Sequence, residues 1–250
     1  GMAYKRAKKF ELMAALSQEA ASVVGISPIR QMRCLCYAGH AFEQAGDIDS
    51  AVIAFRKAAN VVGIPPSLRV DCLSKVGTAL ERAGNIAAAV IAFLKATRVD
   101  GITPDLLAWC LYDASHALGH AKQFMHAVTL SKEALAVDGI TPHCRAICLS
   151  EIGHAFERVG NIDGTVIAFR KAARVDGITH RFRMECISKA GNVLESMGKF
   201  KEATELYIQA ANVMGIPPDD QNKYFFLANR ATNEHERELK EEYQCSAWEP

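Results

Sequence analysis

The chain has 250 residues, half of them apolar, and a formal net charge of +1. That balance excludes a disordered chain, and without surplus Lys and Arg it argues against a protein that holds a nucleic-acid backbone nonspecifically. Apolar runs such as AAAVIAF (87–93) fall far short of the roughly 18 residues a membrane span needs, and no apolar signal segment opens the chain, so a cytoplasmic protein without membrane attachment is expected.

Residues 4–26 read as one N-terminal capping helix whose apolar positions, Phe10, Met13, Leu16, Ala20 and Val23, would cover the neighbouring helices. The basic group Lys5, Arg6, Lys8 and Lys9 is too short for a nucleic-acid arm. Beyond it the text repeats every 38 residues. Gly25, Gly63, Gly101, Gly139, Gly177 and Gly215 keep that interval, each followed by Ile. A period of this size marks a solenoid, in which each unit buries its apolar face only by stacking on its neighbours. The units run over 27–63, 65–101, 103–139, 141–177 and 179–215. A C-terminal capping helix is expected over 217–243, apolar at Tyr224, Phe225, Leu227, Ala228 and Ala231 and charged from Glu234 to Glu242. Residues 244–250 would form a tail, and the whole would be one continuous solenoid domain with about twelve helices.

Within each unit the apolar spacing is helical. In the second unit Val70, Leu73, Val76, Gly77, Leu80 and Ala83 recur at steps of three and four, and so do Ile86, Ala89, Val90, Phe93, Ala96 and Val99. Each unit is therefore an antiparallel helix pair. Gly46-Asp47, Gly84-Asn85 and Gly160-Asn161 end a first helix and cap a second. Thr103-Pro104 and Thr141-Pro142 restart the next first helix. Small residues at Gly39, Gly77, Gly153 and Gly191 let the paired helices approach closely.

Cys34, Cys72, Cys110, Cys148 and Cys186 share one column of the repeat. Stacked equivalents lie roughly one helix diameter apart, about 10 Å, too far to bridge, so this column reads as free thiols used for packing. Cys36, Cys144 and Cys245 lie outside it and are expected to be more accessible.

These columns resemble a tetratricopeptide repeat. The resemblance rests on the small residue (Gly39, Gly77, Ser115, Gly153, Gly191), the large apolar residue three on (Phe42, Leu80, Leu118, Phe156, Leu194) and the alanine early in the second helix (Ala51, Ala89, Ala127, Ala203). The pairs Phe55/Ala58, Phe93/Ala96, Phe169/Ala172 and Tyr207/Ala210 complete it. It covers about 190 residues, with Ser115, Ser131, Thr165 and a period longer than the family's as departures. It implies an all-α fold, a right-handed superhelical solenoid of antiparallel helix pairs, and binding of a protein or extended peptide in a concave groove lined by the first helices. No cofactor, metal or catalytic role is implied.

The stripe that would line this groove includes Arg33, Cys36, His40, Glu43 and Gln44, then Asp71, Ser74, Thr78, Glu81 and Arg82. It continues with Ile147, Ser150, His154, Glu157 and Arg158, and with Glu185, Ser188, Asn192, Glu195 and Ser196. Its mixed polarity suits an extended polar peptide. The third unit differs: Trp109, Tyr112, His116, Gly119 and His120 share the stripe, and Gly119 replaces a glutamate. Aromatic side chains in mid-groove are typical anchors. Alternatively, Trp109 packs against a neighbouring first helix.

His116, His120 and His154 could also ligate zinc by column and spacing, but spacing alone is a weak signal, groove-lining hydrogen-bond donors are the favoured account, and the expectation is no metal. No phosphate loop, nucleophile elbow or paired-carboxylate site stands out, and the Glu column reads as a solvated face. Two other function classes remain. The Gly-Ile-Thr-Pro turn and Ala45–Asp49 resemble pentatricopeptide repeats, which bind single-stranded RNA, although the groove glutamates and the period speak against it. Val52-Ile53, Val90-Ile91 and Val166-Ile167 on the second helices would suit a convex self-assembly face and a homo-oligomer, unless the long first helices cover them. Cys36, His40, Ser74 and Thr78 stand where a chaperone-tail clamp needs Lys or Asn, so that ligand is not expected.

Overall fold

The structure, a computed structural model, describes the backbone of residues 2–246 and the side chains of residues 7–241. Lys5, Arg6, Cys245 and the last four residues of the expected tail therefore lie outside the described side chains. The described residues form helices and no strand, in the order α1 (Met2–Ala21), α2 (Pro28–Ala45), α3 (Ile48–Ala59), α4 (Pro66–Arg82), α5 (Ile86–Ala96), α6 (Pro104–His120), α7 (Phe124–Leu135), α8 (Pro142–Arg158), α9 (Ile162–Ala173), α10 (His180–Ser196), α11 (Phe200–Ala211) and α12 (Pro218–Ser246). This is an all-α helical repeat. First helices have 17 or 18 residues and second helices 11 or 12, so the extra residues of the long period lengthen the first helix.

The chain divides into two compact units, one ending at Gly139 and the other beginning at Ile140. In the first, α1 to α7 pack serially on one another; in the second, α8 to α12 do the same. Each unit has its own apolar core, centred on Phe55 and Phe93 in the first and on Phe169, Leu206 and Tyr207 in the second.

Local chemistry explains the punctuation. The side chains of Asp47, Asn85 and Asn161 accept hydrogen bonds from the backbone N–H three residues on, at 3.0, 3.2 and 2.9 Å, which caps α3, α5 and α9. Thr103, Thr141 and Thr179 cap α6, α8 and α10 in the same way. Gly46, Gly84, Gly160 and Gly198 close four of the first helices in the left-handed region, where a glycine meets no steric penalty. In the third repeat the same position is Lys122, with φ 60°.

Pairing of the two helices depends on one column. A Cβ added at Gly39 or Gly77 would stand 2.5 or 2.4 Å from the ring of Phe55 or Phe93; at Gly153 and Gly191 it would stand 2.9 Å from Phe169 and Tyr207. All four rings are buried. The third repeat solves the same contact differently. Ser115 replaces glycine and Ser131 replaces the ring, and their hydroxyls meet at 2.7 Å while Ser115 donates to the Ala127 carbonyl at 2.8 Å. Both serines are fully buried and satisfied by hydrogen bonds.

The cysteine column packs as its position suggests: Cys72, Cys110, Cys148 and Cys186 are buried and Cys34 half-buried. Burial pushes the Cys110 and Cys148 thiols up to about 12 and Cys186 to about 11. Cys36 and Cys144, expected to be accessible, are buried as well. The first helices are enclosed over a wider arc than a single stripe. Cys36 Sγ on α2 lies 3.6 Å from Cys72 Sγ on α4, so two thiols of neighbouring first helices meet side by side.

Two further expectations are corrected. Among the described side chains of α1 the buried residues are Ala14 and Ala21, whereas Met13 and Leu16, and Val23 just beyond its end, are exposed, because close helix contact selects small side chains. On the second helices Val52 is buried and Val90 and Val166 are half-buried, but Ile53, Ile91 and Ile167 are exposed, so the long first helices do not cover them.

The left-handed Lys122 gives a direct test of this reading of the turns. A side chain in that region costs about 1 kcal/mol relative to glycine. Lys122→Gly is expected to raise the stability of the chain by roughly that amount, measured as a shifted urea midpoint with unchanged slope.

Candidate functional site

The stripe of first-helix residues is built by the columns that flank the glycine–ring contact. Immediately after each small residue comes His40, Thr78, His116, His154 or Asn192. His40 and His154 lie edge-on over the rings beneath them, Phe55 and Phe169, with centroids 5.0 Å apart in both cases. Each also approaches the carboxylate three residues on, Glu43 at 3.0 Å and Glu157 at 3.6 Å. Thr78 is half-buried, and Asn192 accepts from the Tyr207 hydroxyl at 2.8 Å.

His116 has neither of those supports, since Ser131 stands where the ring would be and Gly119 where the carboxylate would be. It turns instead along its own helix. The Tyr112 and His116 rings stack at 6.1 Å, His116 and His120 lie 4.5 Å apart, and Trp109 meets Tyr112 edge-to-face at 5.4 Å. Trp109, Tyr112, His116 and His120 thus form a continuous run of rings along α6. Trp109, Tyr112 and His116 are half-buried and His120 is exposed.

The glutamate column is not the solvated face expected from sequence. The side chains of Glu43, Glu81 and Glu195 are 8%, 16% and 15% exposed; Glu157, at 48%, is the open one. The enclosed carboxylates face cations from the next helix pair or cap. Arg82 reaches Glu43 at 3.3 Å, and Arg230 grips Glu195 with two hydrogen bonds of 2.9 and 2.8 Å. Glu195 also accepts from the Tyr207 hydroxyl at 2.6 Å, which with burial pushes that phenol upward. The corresponding partner of Glu81 is His120, with Nδ1 3.2 Å from Oε1, and His116 Nδ1 lies 3.7 Å from the same oxygen. Neighbouring Asp113 is pushed up to about 6, chiefly by burial, with Glu81 adding to the rise and His116 opposing it.

Among the stripe residues read from sequence, Cys36, Ser150 and Ser188 are buried between helices rather than open to a ligand. Arg82 and Arg158 are exposed. The structure adds Lys189, whose Nζ lies 2.8 Å from His154 Nε2. Its signal is present in the sequence only as the cation one column away from the stripe. His154 belongs to the second compact unit, and the imidazoles that come together are His116 and His120 with Glu81, all in the first.

No protein-family model matches the sequence, and no curated protein is significantly similar to it. Similarity is found among solved structures. The apo form of RapI superposes with a TM-score of 0.65 at 12% identity, covering 92% of this chain and 74% of RapI. BtubC (BKLC) from P. vanneervenii gives 0.60 at 16%, covering 87% and 94%. The nearly identical TPR-like repeats of a Podosopora anserina kinesin-light-chain candidate give 0.56 at 15%, covering 75% and 96%. The fold is that of tetratricopeptide-like repeats. In this repeat fold the glycine and the ring recur together because a helix pair closes where they meet, and the alanine column is buried beside them. No helix among the described residues is long and apolar enough to cross a membrane.

The His154 environment generates a pH prediction. Burial first, then the Lys189 cation, lowers its pKa below the usual value near 6.5. The Lys189 ammonium donates to Nε2 only if the imidazole is neutral. A group depressed in this way protonates first in the unfolded chain, so its contribution is fully present above about pH 6.5 and declines as pH falls below that. Urea unfolding is expected to show stability lost on acidification from pH 7.5 toward 5.5, and His154→Gln to reduce that loss.

Proposed function

We propose that this chain is a non-enzymatic protein- or peptide-binding scaffold whose ligand lies against the first helices and is anchored on α6 by Trp109 and Tyr112. The observation that carries this reading is the run of rings from Trp109 to His120. Half-buried aromatic side chains of this kind bury much additional area on contact at little entropic cost, and such positions concentrate binding energy. His116, His120 and Thr78 would add directional contacts to an extended backbone. In the second unit His154, Asn192, Glu157 and Arg158 are the candidate contacts, and in the first His40, Glu81 and Arg82. The tetratricopeptide-like fold supports an interaction role in general, since a helical repeat offers long faces of side chains and no enclosed catalytic chamber.

The test is selection from a random peptide library, followed by affinity measurement on the selected peptides. Trp109→Ala is expected to weaken binding about 10- to 100-fold with unchanged far-UV circular dichroism. Unchanged affinity would remove Trp109 from the site.

A second reading, self-assembly through the second helices, rests on the exposed Ile53 and Ile91 of one unit and Ile167 of the other. Sedimentation at high concentration separates the two. A monomer counts against assembly, and an oligomer dispersed by Ile91→Lys supports it.

A further inference from the structure

We propose that Glu81, His116 and His120 form a binding site for a divalent transition-metal ion, zinc being the expected occupant. Three observations converge on it. The first is geometry: one ligand atom from each residue lies within 4.8 Å of the others, with Glu81 Oε1 3.7 Å from His116 Nδ1 and 3.2 Å from His120 Nδ1. Ligand atoms bound tetrahedrally at about 2.0–2.1 Å from zinc stand roughly 3.3–3.4 Å apart, so small rotations of exposed side chains complete the set.

The second is the state of the carboxylate. Glu81 Oε1 is buried and accepts no hydrogen bond, close as the two imidazoles are. Equivalent glutamates are satisfied by a permanent cation, Arg82 at Glu43 and Arg230 at Glu195. Here the partners are imidazoles, which are not permanent cations, and a metal ion between them would supply the positive charge that the arginines supply elsewhere.

The third is the way the helices present the donors. His116 and His120 are four residues apart on α6, so both project from one face, and Gly119 leaves no side chain at the column position where a competing carboxylate would stand. Glu81 comes from the last turn of α4 and would tie one helix pair to the next through the ion. His120 is 58% exposed, which leaves a fourth coordination position open to water. Two nitrogens and one carboxylate oxygen suit zinc, nickel or copper rather than magnesium or calcium, which take oxygen shells. The site does not depend on the peptide reading, because all three ligands belong to this chain.

The experiment is titration of the chelator-treated full-length chain with Zn²⁺ at pH 7.5 by calorimetry, with Co²⁺ absorption as the geometric readout. One equivalent is expected, with a cobalt spectrum of tetrahedral intensity. Glu81→Gln, His116→Ala and His120→Ala are each expected to weaken binding about 100-fold or more, while His154→Ala leaves it unchanged. Folding of each variant is checked by circular dichroism, and the isosteric Glu81→Gln and the exposed His120→Ala serve if His116→Ala disturbs the helix. Absence of zinc binding, or stoichiometric binding that survives both Glu81→Gln and His120→Ala, would overturn the proposal and leave the cluster as a contact of Glu81 with two imidazoles.

Discussion

Four of the five helix pairs hang on the contact between a helix with no side chain at one position and a ring on its partner. Gly39, Gly77, Gly153 and Gly191 each leave a space that a single Cβ would close to within 2.4–2.9 Å of an aromatic carbon. The distance between paired helices is thus set by the ring packed against the glycine. With the ring buried, the next residue on the first helix is placed above it, and this is where His40 and His154 find their edge-on support. Three residues further on stand Glu43 and Glu195, which meet Arg82 and Arg230 of later helices, while Glu157 stays open. Packing inside one repeat and charge pairing between repeats are consequences of the same close approach.

The third repeat departs from that rule in several columns at once. Ser115 and Ser131 replace glycine and ring, Gly119 replaces the carboxylate, and Lys122 occupies a left-handed position that glycine holds elsewhere. Polar side chains now close the helix pair by hydrogen bonds, and one backbone position carries strain. What the departures release is the surface of α6, where His116 turns to Tyr112 and His120 instead of settling over a phenylalanine. Places at which a sequence breaks its own structural rule are where function is expected to be found.

Much of this is legible in the sequence, and the limits have physical causes. The period, the turn glycines and the caps are set by backbone conformation within a few residues, so α2 to α11 can be read from spacing alone. The identity of α6 as the exceptional helix is also visible in Trp109, Tyr112, His116 and Gly119. What spacing cannot show is which neighbour a side chain meets on another helix. Glu43, Glu81 and Glu195 read as solvated because spacing places each only on its own helix, whereas Arg82, His120 and Arg230 arrive from the next. Cys36 and Cys144 read as accessible because periodicity marks one buried stripe, while first helices flanked on two sides bury a wider arc. On α1 the stripe of large apolar residues suggests the inner face, but the contact is made through Ala14 and Ala21.

The measurement that bears most directly on the role of α6 is repair of the third repeat. A chain carrying Ser115→Gly, Ser131→Phe and Gly119→Glu would have the glycine–ring contact and the in-helix carboxylate of its neighbours, and its peptide selection can be compared with that of the unaltered chain. Equal or greater stability in urea is predicted together with loss of the selected peptides, because His116 would be drawn onto the new ring and away from Tyr112. A repaired chain that selects the same peptides with the same affinity would contradict this, and would mean that the departures of the third repeat have no part in binding.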